Sequence, residues 1–159
     1  MRLAICGLAA LMAVAAGPVK AAPADAAMAT LQRFADSFNR GDTKTAGALQ
    51  ADDSAIVDEF PPHQWHGPGA FSAWLGDFAK DAAAKGESDQ HLAVGKPTRV
   101  DLDGDTAYVV APALYTFKQH GKPMAESAQM TFALRNGASG WKIAAWAFAG
   151  SIPHAAGER

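Results

Sequence analysis

The second half of the chain alternates apolar and polar residues with a period of two, and this alternation constrains the fold more than any other feature. Four runs carry it, at 90–102, 106–118, 122–135 and 141–150, and turn residues separate the last three of them from their predecessors: Asp103-Gly104, His120-Gly121 and Asn136-Gly137. Because these turns are short, successive strands must pair antiparallel. The sequence therefore predicts a long antiparallel meander, bent where Pro97 and Pro112 interrupt the runs.

The residues before this meander have helical spacing instead. The first predicted helix runs from a capping Asp25 to Gly41, and a shorter one runs from Asp42 to Gln50. A short strand at 55–60 precedes a third helix that ends at Gly86. The order predicts one α+β domain over 25–151, with three helices on one face of a curved antiparallel sheet and a flexible tail at 152–159.

The first residues have the three-part order of a secretory signal peptide. Arg2 precedes an apolar run at 3–16, Gly17-Pro18 breaks it, and small residues follow. We expect cleavage after Ala21, so that 1–21 is the signal peptide, with Ala24 as the alternative site. The apolar run is shorter than a membrane-spanning helix needs. The mature protein is thus expected in the periplasm or secreted, with no membrane attachment after cleavage.

Composition excludes several classes of function. Cys6 is the only cysteine and lies in the leader, so the mature chain has no disulfide, thiolate metal site or cysteine nucleophile. The net charge of −2 argues against nucleic acid as a partner. The sequence contains neither a phosphate-binding glycine loop nor a dinucleotide fingerprint, and His63 and His66 lack a third metal ligand nearby. We expect no cofactor and no metal.

The candidate catalytic residues are Asp58, His63 and His66. Asp58 and Glu59 are adjacent on a short strand, so one faces inward and the other outward, and the pattern leaves open which. A carboxylate in an apolar cavity could act as a general base; alternatively it binds backbone donors of the following loop. The two histidines could exchange protons near neutral pH or simply hydrogen-bond within their loop.

The candidate ligand-binding residues are Phe60, Trp65, Trp74, Tyr115 and Gln129. Trp65 could cover a pocket from its loop, and Trp74 belongs to the apolar face of the third helix. Tyr115 and Gln129 could donate to a ligand carbonyl.

Two further side chains have uncertain directions. Trp146 has the opposite parity from Trp141 and Ile143, which predicts that it faces away from the helices unless a bulge precedes it. Glu126 shares a strand face with Met130 but lies near a turn, which predicts exposure at the strand's end.

Several segments together resemble the nuclear transport factor 2-like superfamily, in particular its small bacterial SnoaL-like members. They are Phe38-Asn39-Arg40-Gly41-Asp42, Asp58-Glu59-Phe60-Pro61, Trp65-His66-Gly67 and the closing Gly140–Trp146. The resemblance spans 25–151 and implies a cystatin-like cone, a pocket between helices and sheet, and a homodimer through the sheet's other face. Many relatives carry a histidine–any–histidine pair where this chain has Ala145 and Ala147, which predicts a more apolar pocket wall.

These observations favour an exported small-molecule-binding domain with a largely apolar conical pocket for a small amphipathic molecule. The alternative is a cofactor-free isomerase, dehydratase or cyclase of the kind the resemblance implies, with Asp58 as general base and a nearby histidine or Tyr115 assisting. An accessory module that acts only through its dimer face is a third possibility. Fold alone does not decide among them.

Overall fold

The computed structural model describes residues 23–157, where three helices cover the concave face of a curved eight-stranded sheet. The elements are α1 (Pro23–Asn39), α2 (Thr43–Ala48), β1 (Gln50–Val57), β2 (Gln64–His66), α3 (Ala70–Lys85), β3 (Glu87–Val94), β4 (Arg99–Asp103), β5 (Thr106–Gln119), β6 (Lys122–Gly137), β7 (Gly140–Gly150) and β8 (His154–Ala155). The predicted α+β fold is confirmed. The predicted signal peptide, 1–21, lies outside the described residues.

The helix ends follow from local chemistry. Asp42 caps α2, because its side chain accepts a hydrogen bond from the Thr45 backbone N–H at 3.0 Å. Asp25 lies in the first turn of α1 rather than at its cap. Gly86 ends α3 in the left-handed region, with φ of 67°. A Cβ there would also meet the His120 ring at 2.5 Å, so both backbone and space favour glycine.

The sheet order is β2-β1-β7-β6-β5-β3, with β4 also paired to β5 and β8 to β6. The antiparallel meander is confirmed for β5, β6 and β7. Two features differ from the prediction. The first strand joins β7 in parallel, so the sheet is mixed. The predicted strand at 90–102 is split into β3 and β4 on either side of Pro97, which has no N–H to donate to a ladder.

The C-terminal segment is partly ordered into the sheet. His154 pairs with Ala125 and Ala155 with Met124, both on β6. The predicted flexible tail at 152–159 therefore contains a short strand, which places Pro153 at the edge of the cavity described below.

A bulge in β7 reverses the predicted direction of Trp146. Ala133 pairs with Ala145 and Leu134 with Ile143, so Ala144 has no partner on β6. The extra residue returns Trp146 to the face of Ile143, and both side chains are buried. The prediction that Trp146 faces away from the helices is thus wrong, because a bulge precedes Trp146 in β7.

The core lies between the helices and the concave face, and it includes Phe34, Ile56, Phe132 and Ile143. On the convex face, Val57, Tyr108 and Leu114 are between 41% and 50% exposed. Within residues 23–157, no helix has both the length and the apolar character to cross a membrane.

Candidate active site

A cavity of about 150 Å³ lies between α1, α3 and the concave face of the sheet. Half of the residues that line it are aromatic: Phe34, Phe38, Phe60, Trp74, Phe78, Tyr115, Phe117, Trp146 and Phe148. Trp74 is central to them, with its ring centroid 5.0 Å from that of Trp146 and 5.4 Å from that of Phe78. An apolar cavity of about this volume holds a benzene ring in another protein. The space fits a small cyclic or aryl group.

Asp58 follows β1 directly and points into this cavity. Strand alternation explains why, since Ile56 is fully buried while Val57 is 50% exposed on the other face. The Oδ2 atom of Asp58 accepts a hydrogen bond from Trp74 Nε1 at 2.8 Å, and its Oδ1 accepts one from the Glu59 backbone N–H at 2.8 Å. Burial raises the pKa of Asp58 to about 6, and these two hydrogen bonds offset part of that effect. The result is an oriented carboxylate suited to exchanging a proton near neutral pH.

Glu126 is buried in the cavity wall at 1% exposure, so the predicted exposure at the strand's end is wrong. Glu59, which follows β1, also lines the cavity, and both carboxyl groups approach the backbone of Gly150. Burial raises the pKa of Glu126 well above its usual range, and the neighbouring Glu59 carboxyl group raises it further. Glu126 therefore keeps its proton to a higher pH than an exposed glutamate does.

Gly150, the last residue of β7, makes room for this carboxyl pair. A Cβ at Gly150 would overlap Glu126 Oε1 and lie 2.6 Å from Glu59 Oε2. The backbone and both carboxyl groups are therefore packed against each other, with no space for a larger residue. Sequence reasoning missed Gly150, because a terminal strand glycine carries no sign of which side chains approach it.

The remaining charged groups make the cavity strongly acidic. Asp81 of α3 and Glu87 of β3 join the three carboxyl groups described above, and Lys85 is the lone basic side chain among the lining residues. Lys85 Nζ already contacts Asp81 Oδ2 at 2.6 Å. Burial raises the pKa of Glu87. Of five acidic side chains, only Asp81 is thus paired with a basic one at the cavity.

Two hydrogen-bond donors in the cavity wall lack partners among residues 23–157. They are the Tyr115 hydroxyl and Trp146 Nε1, both shielded from solvent. Burial raises the pKa of Tyr115, and the nearby charges of Glu87 and Glu126 raise it further, so the phenol remains protonated. A ligand oxygen could accept hydrogen bonds from either group.

Of the predicted site residues, Asp58, Phe60, Trp74 and Tyr115 line the cavity. His63 and His66 do not: both side chains are exposed, and the His63 ring lies 3.2 Å from the Asp58 backbone oxygen. Neither histidine is among the residues that line the cavity, and this is a correction to the predicted catalytic set.

Three other predictions need correction. Trp65 is buried behind Phe60, at 5.1 Å between ring centroids, and donates to Asp77 rather than covering the pocket. Gln129 is exposed on the convex face because its neighbour Met130 points inward. Ala145 and Ala147 also have convex-face parity after the bulge, so Trp146 and Phe148 form the cavity wall instead. No cluster of three or more metal-binding side chains occurs within the described part of the chain.

A model of the SnoaL-like domain matches residues 27–153, which is most of the chain. The chain belongs to the SnoaL-like family. Among curated proteins, none matches the sequence.

Solved structures share the nuclear transport factor 2-like fold at low sequence identity. A ketosteroid isomerase-like protein from Erwinia carotovora atroseptica SCRI1043 has a TM-score of 0.64 at 21% identity, over 82% of this chain and 97% of that one. A nuclear transport factor 2-like superfamily protein from Salmonella enterica serovar Typhimurium LT2 gives 0.67 at 15%, over 86% and 96%. A CaMKII hub from S. rosetta gives 0.69 at 20%, over 84% and 100%.

Proposed function

We propose that the cavity binds a small amphipathic molecule and that Asp58 moves a proton on it without a cofactor. The observation that supports this is the position of Asp58, a buried carboxylate held by two hydrogen bonds inside an aromatic cavity. A base works best when its pKa lies near the working pH and its orientation is fixed in advance.

The arrangement suits proton abstraction next to a carbonyl group. Asp58 would take a proton from the carbon beside the carbonyl, and the electron pair left behind would move onto the carbonyl oxygen. The Tyr115 hydroxyl and Trp146 Nε1 are unpartnered donors that could stabilise that developing charge. In a carbonyl compound with a β,γ-carbon–carbon double bond, return of the proton from Asp58 to the γ-carbon of the dienolate completes an isomerisation. In one with a β-hydroxyl group, re-formation of the carbonyl expels that hydroxyl, which takes the proton from Asp58 and leaves as water, and this completes a dehydration. One solved structure of this fold carries the name ketosteroid isomerase-like.

Deuterium exchange into a small aryl ketone tests this proposal. Acetophenone incubated in D₂O with the protein should exchange its methyl protons faster than in buffer, as followed by proton NMR. Asp58→Asn should lower the protein-dependent rate by about 100-fold or more, the usual contribution of a general base. Asp103→Asn removes the same charge from an exposed turn and should leave the rate unchanged. An equal rate in Asp58→Asn and the wild type would refute the role of Asp58.

Binding without turnover is the second candidate function. It is favoured by the hydrogen bonds that already engage both oxygens of Asp58, since a base bound by two donors is weakened. Acetophenone that binds, as seen by quenching of Trp74 and Trp146 fluorescence, yet does not exchange would support this second candidate over the first.

Two further proposals concern location and assembly. We propose that the chain is exported to the periplasm, on the strength of the leader's three-part order. We propose also that it forms a homodimer through the convex face of the sheet, where Val57, Tyr108 and Leu114 are exposed. N-terminal sequencing of protein recovered from the periplasm tests the first, with a start at Ala22 expected. A one-subunit mass by light scattering at micromolar concentration would contradict the second.

A further inference from the structure

Negative charge is left uncompensated in the cavity. Asp58, Glu59, Glu87 and Glu126 line it without a basic partner among the lining residues, because Lys85 is held by Asp81. Asp58 and Glu126 are both buried, so each carries its charge in surroundings of low polarity when it ionises. Such charge is costly to bury unless something positive approaches it.

A second observation, independent of the number of carboxyl groups, concerns the surroundings of Glu126. Glu126 is buried at 1% exposure, and its Oε1 atom accepts no N–H or O–H from residues 23–157. Nearly all buried polar atoms in proteins have such a partner, so an unpartnered carboxyl oxygen in a cavity wall indicates a place for a donor from outside the chain. Gly150 leaves room for that oxygen, since a Cβ there would overlap it.

The walls add a feature that favours cations over neutral donors. Trp74, Phe78, Tyr115 and Phe148 line the same cavity as these carboxyl groups. Aromatic faces attract ammonium groups, most strongly where water is excluded, whereas they offer little to an anion. An alkylammonium ion can donate hydrogen bonds to carboxyl groups and pack against aromatic side chains, and this cavity has both.

We propose that the ligand of this cavity is a small organic cation, an amine of about the size of one aryl ring, whose ammonium group sits against Glu126 and Glu59. The inference rests on the proposed function, because it uses the same cavity and names the class of molecule that enters it. The ammonium would donate hydrogen bonds to the carboxyl oxygens, and its apolar part would occupy the aromatic region around Trp74.

Calorimetric titration with three probes of one shape tests the charge preference. Benzylamine, which is protonated at pH 7, is compared with neutral benzyl alcohol and anionic benzoate. We expect benzylamine to bind the wild-type chain at least tenfold more tightly than benzyl alcohol, and benzoate to bind most weakly. A bound ammonium favours the ionised form of Glu126, and glutamine cannot ionise, so Glu126→Gln should reduce the preference for benzylamine about tenfold. Asp103→Asn, a matched loss of a carboxyl group on the exposed surface, should leave it unchanged.

The outcomes of this titration distinguish the amine inference from the proposed function. Equal binding of benzylamine and benzyl alcohol, or an unchanged preference in Glu126→Gln, overturns the inference. If Glu126→Gln does not fold, as judged by circular dichroism, Glu59→Gln at the exposed mouth makes the same test. If benzyl alcohol binds as tightly as benzylamine and exchange still depends on Asp58, the proposed function holds and only the inference of an amine ligand is wrong. If neither benzylamine nor benzyl alcohol binds and acetophenone does not exchange, both the proposed function and the amine inference are wrong.

Discussion

Each face of the sheet carries some residues of the kind that proteins usually place on the other face. The concave face, covered by helices, buries Asp58 and Glu126 among aromatic rings. The convex face exposes Val57, Tyr108 and Leu114. A monomer selected for stability alone would bury the second set and expose the first. Both departures agree with the contacts proposed above: a ligand on the concave side and a second copy of the chain on the convex side.

In β7, a single bulged residue determines which side chains lie on the concave face of the sheet. The unpaired Ala144 shifts β7 by one position, and that shift brings Trp146 inside and leaves Ala145 and Ala147 with convex-face parity. One bulge thus exchanges the entire set of side chains that line this part of the cavity.

The largest effect is expected for Trp146→Ala. Removal of this tryptophan side chain, which is 4% exposed, should cost about 3–5 kcal/mol of unfolding free energy, measured by urea denaturation. Leu114→Ala, on the convex face and 42% exposed, should cost less than about 1 kcal/mol in the monomer. Similar losses for the two variants would mean that the faces are not as different as the structure shows. A loss for Leu114→Ala that grows with protein concentration would place that side chain in a dimer contact.

Sequence alone could predict much of this fold. The alternation at 106–150 and its glycine turns determine β5, β6 and β7, whereas the pattern at 55–60 left open which of Asp58 and Glu59 faces inward. The parallel pairing of β1 with β7 could not be predicted, because it joins segments about ninety residues apart through no local signal. Nor could the bulge, which depends on the register that two strands adopt together.

The buried carboxyl pair shows the limit for the site. Glu126 shared its strand face with Met130, which was a usable sign of burial. Its actual burial depends on three distant pieces: Glu59 after β1, Gly150 at the end of β7, and Pro153 in the segment predicted to be a flexible tail. No single strand pattern contains that information, so the turn nearby suggested exposure instead.

Gly150→Ala should give the second-largest effect. The added Cβ overlaps Glu126 Oε1, and overpacking of this kind costs about 1–3 kcal/mol. Gly137→Ala is the matched control, because that strand glycine has no atom within 4 Å of its would-be Cβ. In the Gly150→Ala background, Glu126→Ala should recover part of the loss, as measured by a double-mutant cycle in urea. Additive losses would show that Gly150 and Glu126 are not in contact.

Glu126→Gln should stabilise the protein, and only at higher pH. The folded state raises the pKa of Glu126 above the unfolded value of about 4.3, so it binds that proton more tightly and loses stability as pH rises through the shifted range. Asp58 acts in the same direction between about pH 4 and 6. Glutamine cannot ionise, so the gain over wild type should be near zero at pH 4 and at least about 1 kcal/mol at pH 8.

Thermal denaturation of Glu126→Gln, Asp103→Asn and wild type across pH 4 to 8 measures this gain. The control variant carries the same charge change on the surface and should follow the wild-type curve. A Glu126→Gln curve parallel to that of the wild type would mean that the carboxyl group is not held protonated in the folded state.

The smallest effect is expected at Gln129, next to one of the buried cavity residues. Gln129 is exposed on the convex face, whereas Met130 lines the cavity at 1% exposure. Gln129→Ala should change the unfolding free energy by no more than about 0.5 kcal/mol and leave benzylamine affinity unchanged. Met130→Leu keeps the volume of the side chain but alters its shape, so it should change that affinity while costing less than about 1.5 kcal/mol. Calorimetry on both variants checks the pair, and a weakened affinity in Gln129→Ala alone would mean that the ligand lies on the other side of the sheet.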